Sequence, residues 1–218
     1  MLIAARNEER RLGDTLAALG GALPGARLIV ADDASSDRTP QLARAAGAEL
    51  VRSERRLGKG GASTLAARRL GDEAAVVLLC DGDLGASAAR LTALVERVGA
   101  GEADIAIAKF ARPVGGGFGV VLGFSRRTVA RHAGRRLEAP LSGQRALTAR
   151  ALRTLLPFAP GFGMETAMDI AAIRAGLKVV EVELDLEHRA TGRNAAGFAH
   201  RARQLIDIAR VYRRASRP

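Results

Sequence analysis

With 218 residues, 48% of them hydrophobic, the chain is long enough to bury one sizeable core but short for two, and its composition is that of a globular chain, not a disordered one. A formal charge of +11 favours anionic partners, yet the cations are nearly all arginine in an Ala/Gly-rich chain, so a GC-rich gene accounts for the excess equally well. No run approaches the roughly 18 to 20 apolar residues of a membrane helix, no signal-peptide pattern opens the chain and Cys80 has no disulfide partner, so the expectation is a cytoplasmic protein, soluble or peripheral to the inner membrane face.

Short apolar runs alternate with helical stretches. The runs are Leu2 to Ala5, Leu28 to Ala31, Leu50-Val51, Val76 to Cys80, Ile105 to Ala108 and Val179 to Leu186. This alternation predicts an α/β fold with a mainly parallel sheet. The first run starts almost at Met1, which suggests that a few native residues precede it. Asn7 is placed to cap a helix with Glu8 and Glu9 in its first turn and Leu12, Leu16 and Leu19 on one face, ending at Gly20-Gly21. Thr39-Pro40 starts the next helix and Gly47 stops it. Ser87 is the expected cap of a third, with Leu91, Leu94, Val95 and Val98 facing inward. Glu165 to Ala175 forms another, closed by Gly176, and a basic helix of about Phe198 to Arg214 ends the chain around Leu205, Ile206, Ile208 and Val211. No internal repeat or low-complexity linker interrupts the chain.

Ligands of open α/β sheets collect beyond the carboxyl ends of the strands, so the polar residues after each run carry the interest. Asp81-Gly82-Asp83 follows a buried run directly, where two carboxylates repel each other unless a cation is present. Mg²⁺ is commonly held by one or two carboxylates with phosphate oxygens and water completing its shell. The plainer alternative is an acidic turn. Asp32-Asp33 is similarly placed to accept hydrogen bonds from a base or ribose, or else to cap the turn towards Thr39-Pro40. Lys59, one of three lysines, sits in Leu57-Gly58-Lys59-Gly60-Gly61, a glycine loop before a helix that suits contact with base, ribose or phosphate. His188 follows the last strand, and imidazole suits Mn²⁺-like metals; Glu165 at a helix start also complements the helix dipole.

Taken together, Ala5-Arg6-Asn7-Glu8-Glu9, Asp32 to Asp37, Gly58-Lys59-Gly60 and Asp81-Gly82-Asp83 resemble the ordered motifs of the family 2 type of GT-A glycosyltransferases. Ala139-Pro140-Leu141-Ser142-Gly143-Gln144, Leu156 to Glu165 and Glu187-His188-Arg189 resemble the glucosyl-3-phosphoglycerate synthases. The resemblance spans nearly the whole chain and implies one GT-A domain, with residues 1–110 as the nucleotide-sugar half and 111–218 as the acceptor half. It implies that Ala4, Ala5, Arg6, Glu8, Asp32, Asp33, Lys59, Asp81 and Gly82 bind the donor, that Asp83 and His188 hold Mg²⁺ or Mn²⁺, and that Glu165 faces the transferred sugar. Asp83 and Glu165 are the catalytic candidates. Arg193, in the loop after His188, is placed to grip the diphosphate.

The acceptor side departs from the synthase pattern. A Thr-Gly-Gly-Gly-Arg loop is replaced by Val114-Gly115-Gly116-Gly117-Phe118-Gly119, without the arginine in register. Gly116, Gly117, Ser142, Gly143 and Arg126 remain the acceptor candidates, with Arg126-Arg127 standing in for the missing cation or forming a solvated basic face. The expected activity is transfer of a hexose, glucose, from a UDP-sugar to a phosphorylated or lipid-linked acceptor, with retention. The rival within the family is an inverting transferase acting on polyprenyl phosphate, with Glu165 or Asp169 as base. Outside it stand a nucleotidylyltransferase, which lacks its usual Gly/Arg-rich first loop here, and a nucleic-acid-binding module, for which one Tyr and six Phe give little stacking surface. No nucleic-acid partner is expected. A solvated face is the leading reading of the basic C-terminal helix, with peripheral membrane contact and a homodimer contact as the alternatives.

Overall fold

The computed structural model describes residues 1–70, 74–111, 119–187 and 195–215, with backbone alone over 195–203. Its strands are β1 (Leu2–Ala5), β2 (Ile29–Asp32), β3 (Glu49–Arg52), β4 (Val76–Asp81), β5 (Ile105–Phe110), β6 (Arg145–Thr148) and β7 (Val179–Leu184), joined in one sheet of order β3-β2-β1-β4-β6-β5-β7. The pairings of β1 with β2 and β4, of β2 with β3 and of β5 with β7 are parallel. The six apolar runs all become strands. β6 was not expected: Arg-Ala-Leu-Thr is too short and too polar at its start to read as a strand, and it runs antiparallel between β4 and β5.

The helices are α1 (Leu12–Ala22), α2 (Thr39–Ala45), α3 (Lys59–Ala67), α4 (Thr92–Gly99), α5 (Val120–Ala133), α6 (Ala149–Leu155), α7 (Met164–Arg174) and α8 (Ala195–Ala215). Leu12, Leu16 and Leu19 are buried as their spacing requires, but Asn7 does not cap α1. It takes a left-handed φ of 56°, its Oδ1 accepts from Ser36 N at 2.9 Å, and its own N donates to Ser35 Oγ at 3.0 Å. Asn7 therefore ties the loop after β1 to the loop after β2, and α1 begins later, running through Gly20-Gly21. Ser87 lies inside a 3-10 stretch, Gly85–Leu91, and donates to Leu84 O instead of capping α4. In α8, Ile208 and Val211 are buried while Ile206 stays 52% exposed, so the apolar stripe is only partly used.

Alternate residues of each strand enter opposite layers. Leu2, Val77 and Leu79 face α3, α6 and α7, and Ile3, Leu78 and Cys80 face α1 and α4. A parallel sheet covered on both faces needs such continuous apolar runs. Burial, reinforced by the neighbouring Asp81, pushes the Cys80 thiol up to about 12, so it remains protonated and packs as a small apolar side chain.

Candidate functional site

β1 lies between β2 and β4, so the crossovers diverge on its two sides and open a crevice at the carboxyl ends. The register pairs Ala5 with Asp32 and Ala4 with Asp81, which sets the three motif-bearing strand ends level. The main chain closes the floor: Ala4 O accepts from Gly82 N at 2.9 Å and Ala5 O from Asp33 N at 3.1 Å. Glu8 N donates to Thr39 Oγ1 at 2.8 Å and Glu9 N to Asp37 Oδ2 at 3.1 Å, fastening the first motif to the second; Arg6 is exposed beside them.

Lys59 is the first residue of α3. The Asp33 carboxylate delivers it there by accepting from Leu57 N at 2.6 Å and from Gly58 N at 3.1 and 3.0 Å, occupying the amides at the helix start. Gly58 takes a φ of 77°, and a Cβ on Gly60 would collide with the Ala159 carbonyl, so both glycines are required by the crossing of this loop with residues 159–161. The Lys59 ammonium then meets Asp81 Oδ1 at 2.6 Å and Glu165 Oε1, in the first turn of α7, at 2.8 Å. Burial opposes the charge, but Asp81 and Glu165 outweigh it and hold the ammonium above its ordinary value.

The second Asp81 oxygen is also engaged. Gln144 Nε2 donates to Asp81 Oδ2 at 2.9 Å, and Asp81 N donates back to Gln144 Oε1 at 2.9 Å. Gly143 lies so close that a Cβ there would strike Lys59 Nζ and approach Asp81 Oδ2 to 2.8 Å. Ser142 is buried beside it. Gln144 lies in the Ala139 to Gln144 motif, but its role is not legible there because nothing in the sequence places β6 next to β4.

Asp83 is 6% exposed at the rim. Arg11 Nη1 donates to Asp83 O at 3.3 Å, and Glu187 N donates to Ser87 Oγ at 2.9 Å, so the chain after β7 returns to the Asp83 loop. Among the described residues no group of three or more His, Cys, Asp and Glu side chains forms a metal cage. Asp83 is a buried carboxylate just beyond this strand end and a candidate to hold a divalent ion, with phosphate and water completing the shell of such an ion.

Several expected site residues have other duties. Asp32 is 0% exposed, its Oδ1 accepts from the Ser35 amide and hydroxyl, and Arg52 Nε lies 3.4 Å from its Oδ2, so it shapes the loop beneath the crevice. Asp33 acts through the Leu57-Gly58 amides. Asp169 is not placed to act as a base: it is 1% exposed and bonded to Arg145 Nη1 at 2.5 Å, which opposes the upward push that burial gives its carboxyl. Arg126 directs its Nε to Glu138 O at 2.9 Å, so its guanidinium is partly committed to the main chain. Gly116, Gly117, His188 and Arg193 lie outside the described residues.

Residues 1–153 match the model of the family described as Glycosyl transferase family 2. Glucosyl-3-phosphoglycerate synthase from Mycobacterium tuberculosis, solved with Mn²⁺, UDP and glucosyl-3-phosphoglycerate, is 28% identical with a TM-score of 0.80, covering 100% of this chain and 79% of that one. The same enzyme with Mn²⁺, UDP-glucose and glycerol 3-phosphate is 27% identical over 100% of this chain and 79% of that one, with a TM-score of 0.77. A structure described as a mycobacterial protein is 27% identical over 96% and 73%, with a TM-score of 0.78. No curated protein matches the sequence. The GT-A architecture expected from the motifs is the one found, and the family match favours glycosyl transfer over the nucleotidylyltransferase reading. The chain belongs to glycosyl transferase family 2 and is a glycosyltransferase.

Proposed function

We propose that this enzyme, as one domain of two halves, moves glucose from UDP-glucose to a small phosphorylated acceptor with the help of a divalent ion. The observation that carries the reading is the bridge made by Lys59, from Asp81 of the nucleotide half to Glu165 of the acceptor half. It draws support from the mycobacterial synthase, which was solved with Mn²⁺, UDP-glucose, phosphoglyceric acid and glycerol 3-phosphate. Asp81, Lys59, Glu8 and the Ala4-Ala5-Arg6 and Gly82 backbone line the nucleotide, while Glu165 and Gly143 face the sugar. Asp83, with His188 from its position after β7, would hold Mn²⁺ or Mg²⁺, which supplies charge neutralisation for the departing diphosphate. Lys59, cationic throughout the working range, adds fixed positive charge where negative charge grows, and Arg193 is the lid residue that would join it. Asp169 is locked to Arg145 and Glu165 to Lys59, so neither suits the base of an inverting reaction; same-face attack with retention is favoured. Ser142 and the Gly116-Gly117 stretch remain the acceptor-side candidates.

Among the described residues no helix is long and apolar enough to cross a membrane. The test is incubation with UDP-glucose, Mn²⁺ or Mg²⁺ and a panel of acceptors including phosphoglyceric acid and glycerol 3-phosphate, with mass spectrometry of the products. Asp83→Ala should lower transfer by about three orders of magnitude and remove metal-dependent UDP binding. Calorimetry showing unchanged Mn²⁺-dependent UDP affinity in that variant would defeat the assignment.

A further inference from the structure

Polar contacts in the crevice form a closed circuit. Glu165 bonds Lys59 at 2.8 Å, Lys59 bonds Asp81 at 2.6 Å, and Asp81 bonds Gln144 at 2.9 Å. The next residue, Arg145, bonds Asp169 at 2.5 Å, and Asp169 follows Glu165 by one turn on the same face of α7. Arg145 is the largest fully buried side chain among the described residues. Its Nε donates to Ser142 O at 2.8 Å and its Nη2 to Pro140 O at 3.5 Å and Asp169 Oδ2 at 3.4 Å.

A buried ion pair is a weak source of stability, since apolar residues of similar volume often replace one at no loss. What apolar residues cannot supply is a planar fork that holds two loop carbonyls and a helix carboxylate at fixed separation. The same loop is fixed at its start, where Glu181 Oε1 accepts from Glu138 N at 2.9 Å and Ala139 N at 2.6 Å. Residues 138–144 are thus tied by Glu181, then Arg145, then Gln144, and Gly143 lies in this stretch against Lys59 and Asp81.

We infer that Arg145 and Asp169 are positioning residues for transfer: their ion pair sets the 140–143 turn and Glu165 at one spacing across Lys59. The pair braces the sugar end of the crevice, whereas the nucleotide end, built on β1, β2 and β4, stands without it. The inference rests on the proposed reading of Glu165 and Gly143 as sugar-facing.

The variants Arg145→Lys, Asp169→Asn and the double Arg145→Met/Asp169→Leu separate this role from a stabilising one. Each is compared with wild type by thermal melting, by calorimetry with UDP and Mn²⁺, and by steady-state transfer from UDP-glucose. The double variant should fold and bind UDP within about threefold of wild type while its kcat falls about 10- to 100-fold, as expected for a sub-ångström to 1 Å misplacement. Arg145→Lys, which keeps the charge but not the fork, should fall between the two. A folded double variant with wild-type kcat, UDP affinity lost in proportion to kcat, or loss of folding in all three variants would overturn the inference. Wild type that neither binds UDP nor transfers glucose would instead remove the proposed function, and this inference with it.

Discussion

The acidic end of β2, Asp32-Asp33, and that of β4, Asp81-Gly82-Asp83, look alike as sequence, yet loop amides, with the Ser35 hydroxyl and Arg52, take up the first, while the Lys59 and Gln144 side chains take up Asp81 of the second. Asp32 and Asp33 accept from Ser35, Leu57 and Gly58 and so fix the shape of two loops. Asp81 is gripped by Lys59 and Gln144, which brings α3 and β6 to one point. An aspartate satisfied by amides builds a frame, whereas one satisfied by a movable cation and an amide side chain can exchange those partners for a ligand. Under the proposed function the contrast gives β2 a framework duty and β4 a donor duty, and it can be broken experimentally.

Among the variants that probe this contrast, the largest effect is expected where a methyl group is forced into the Lys59–Asp81 contact. Gly143→Ala should lower kcat/KM for UDP-glucose about 10- to 100-fold. Its melting temperature should stay near that of wild type, because the obstructed atoms, Lys59 Nζ and the Asp81 carboxylate oxygens, are side-chain ends and not backbone. A variant with wild-type kcat/KM would show that the contact is incidental.

Asp33→Ala should come next. It leaves the Leu57 and Gly58 amides without their acceptor, costing about 1–3 kcal/mol in chemical denaturation and weakening UDP about tenfold as the Lys59 loop loosens. Asp32→Ala sharpens the comparison: a similar loss of stability, but UDP affinity within about threefold of wild type, because Asp32 is fully buried. Donor affinity that collapses in Asp32→Ala would erase the distinction between frame and contact.

The smallest effect is a predicted absence of change. Lys59 is held above its usual value of 10.5, so its contribution to stability is fully present below that value and is lost only as pH rises through its raised folded value. The stability difference between wild type and Lys59→Met should therefore stay flat from pH 7 to 9. A difference that shrinks over this range would mean that Lys59 loses its proton early.

The two halves of the sheet were not equally legible. Leu2 to Ala5 and Val76 to Cys80 are continuous apolar runs because both sheet faces are covered, whereas Val179 to Leu186 alternates apolar residues with Glu181, Glu183 and Asp185 as suits an edge strand, and each marks its strand within a few residues. Lys59, Asp81 and Glu165 each stand in motifs that the family resemblance marks as donor- or sugar-facing, and the fold brings the three within hydrogen-bonding distance. Asn7 misled because an Asn before two glutamates carries the pattern of a helix cap, while a partner 29 residues away at Ser36 claimed its side chain. Asp169 was legible as an acid but not as half of an ion pair, since Arg145 lies 24 residues earlier on a strand with no apolar signature.

The sequence by itself determined six of the seven strands, the buried face of α1, the extent of α7 and the chemical types gathered in the crevice, because short-range periodicity and strand-end polarity are local properties. Only the tertiary structure decided that β6 runs antiparallel beside β4, that Gln144 and Lys59 divide the two oxygens of Asp81, and that Arg145 meets Asp169. Those pairings depend on which strands become neighbours, and a buried polar group accepts whatever partner the packing brings within about 3 Å.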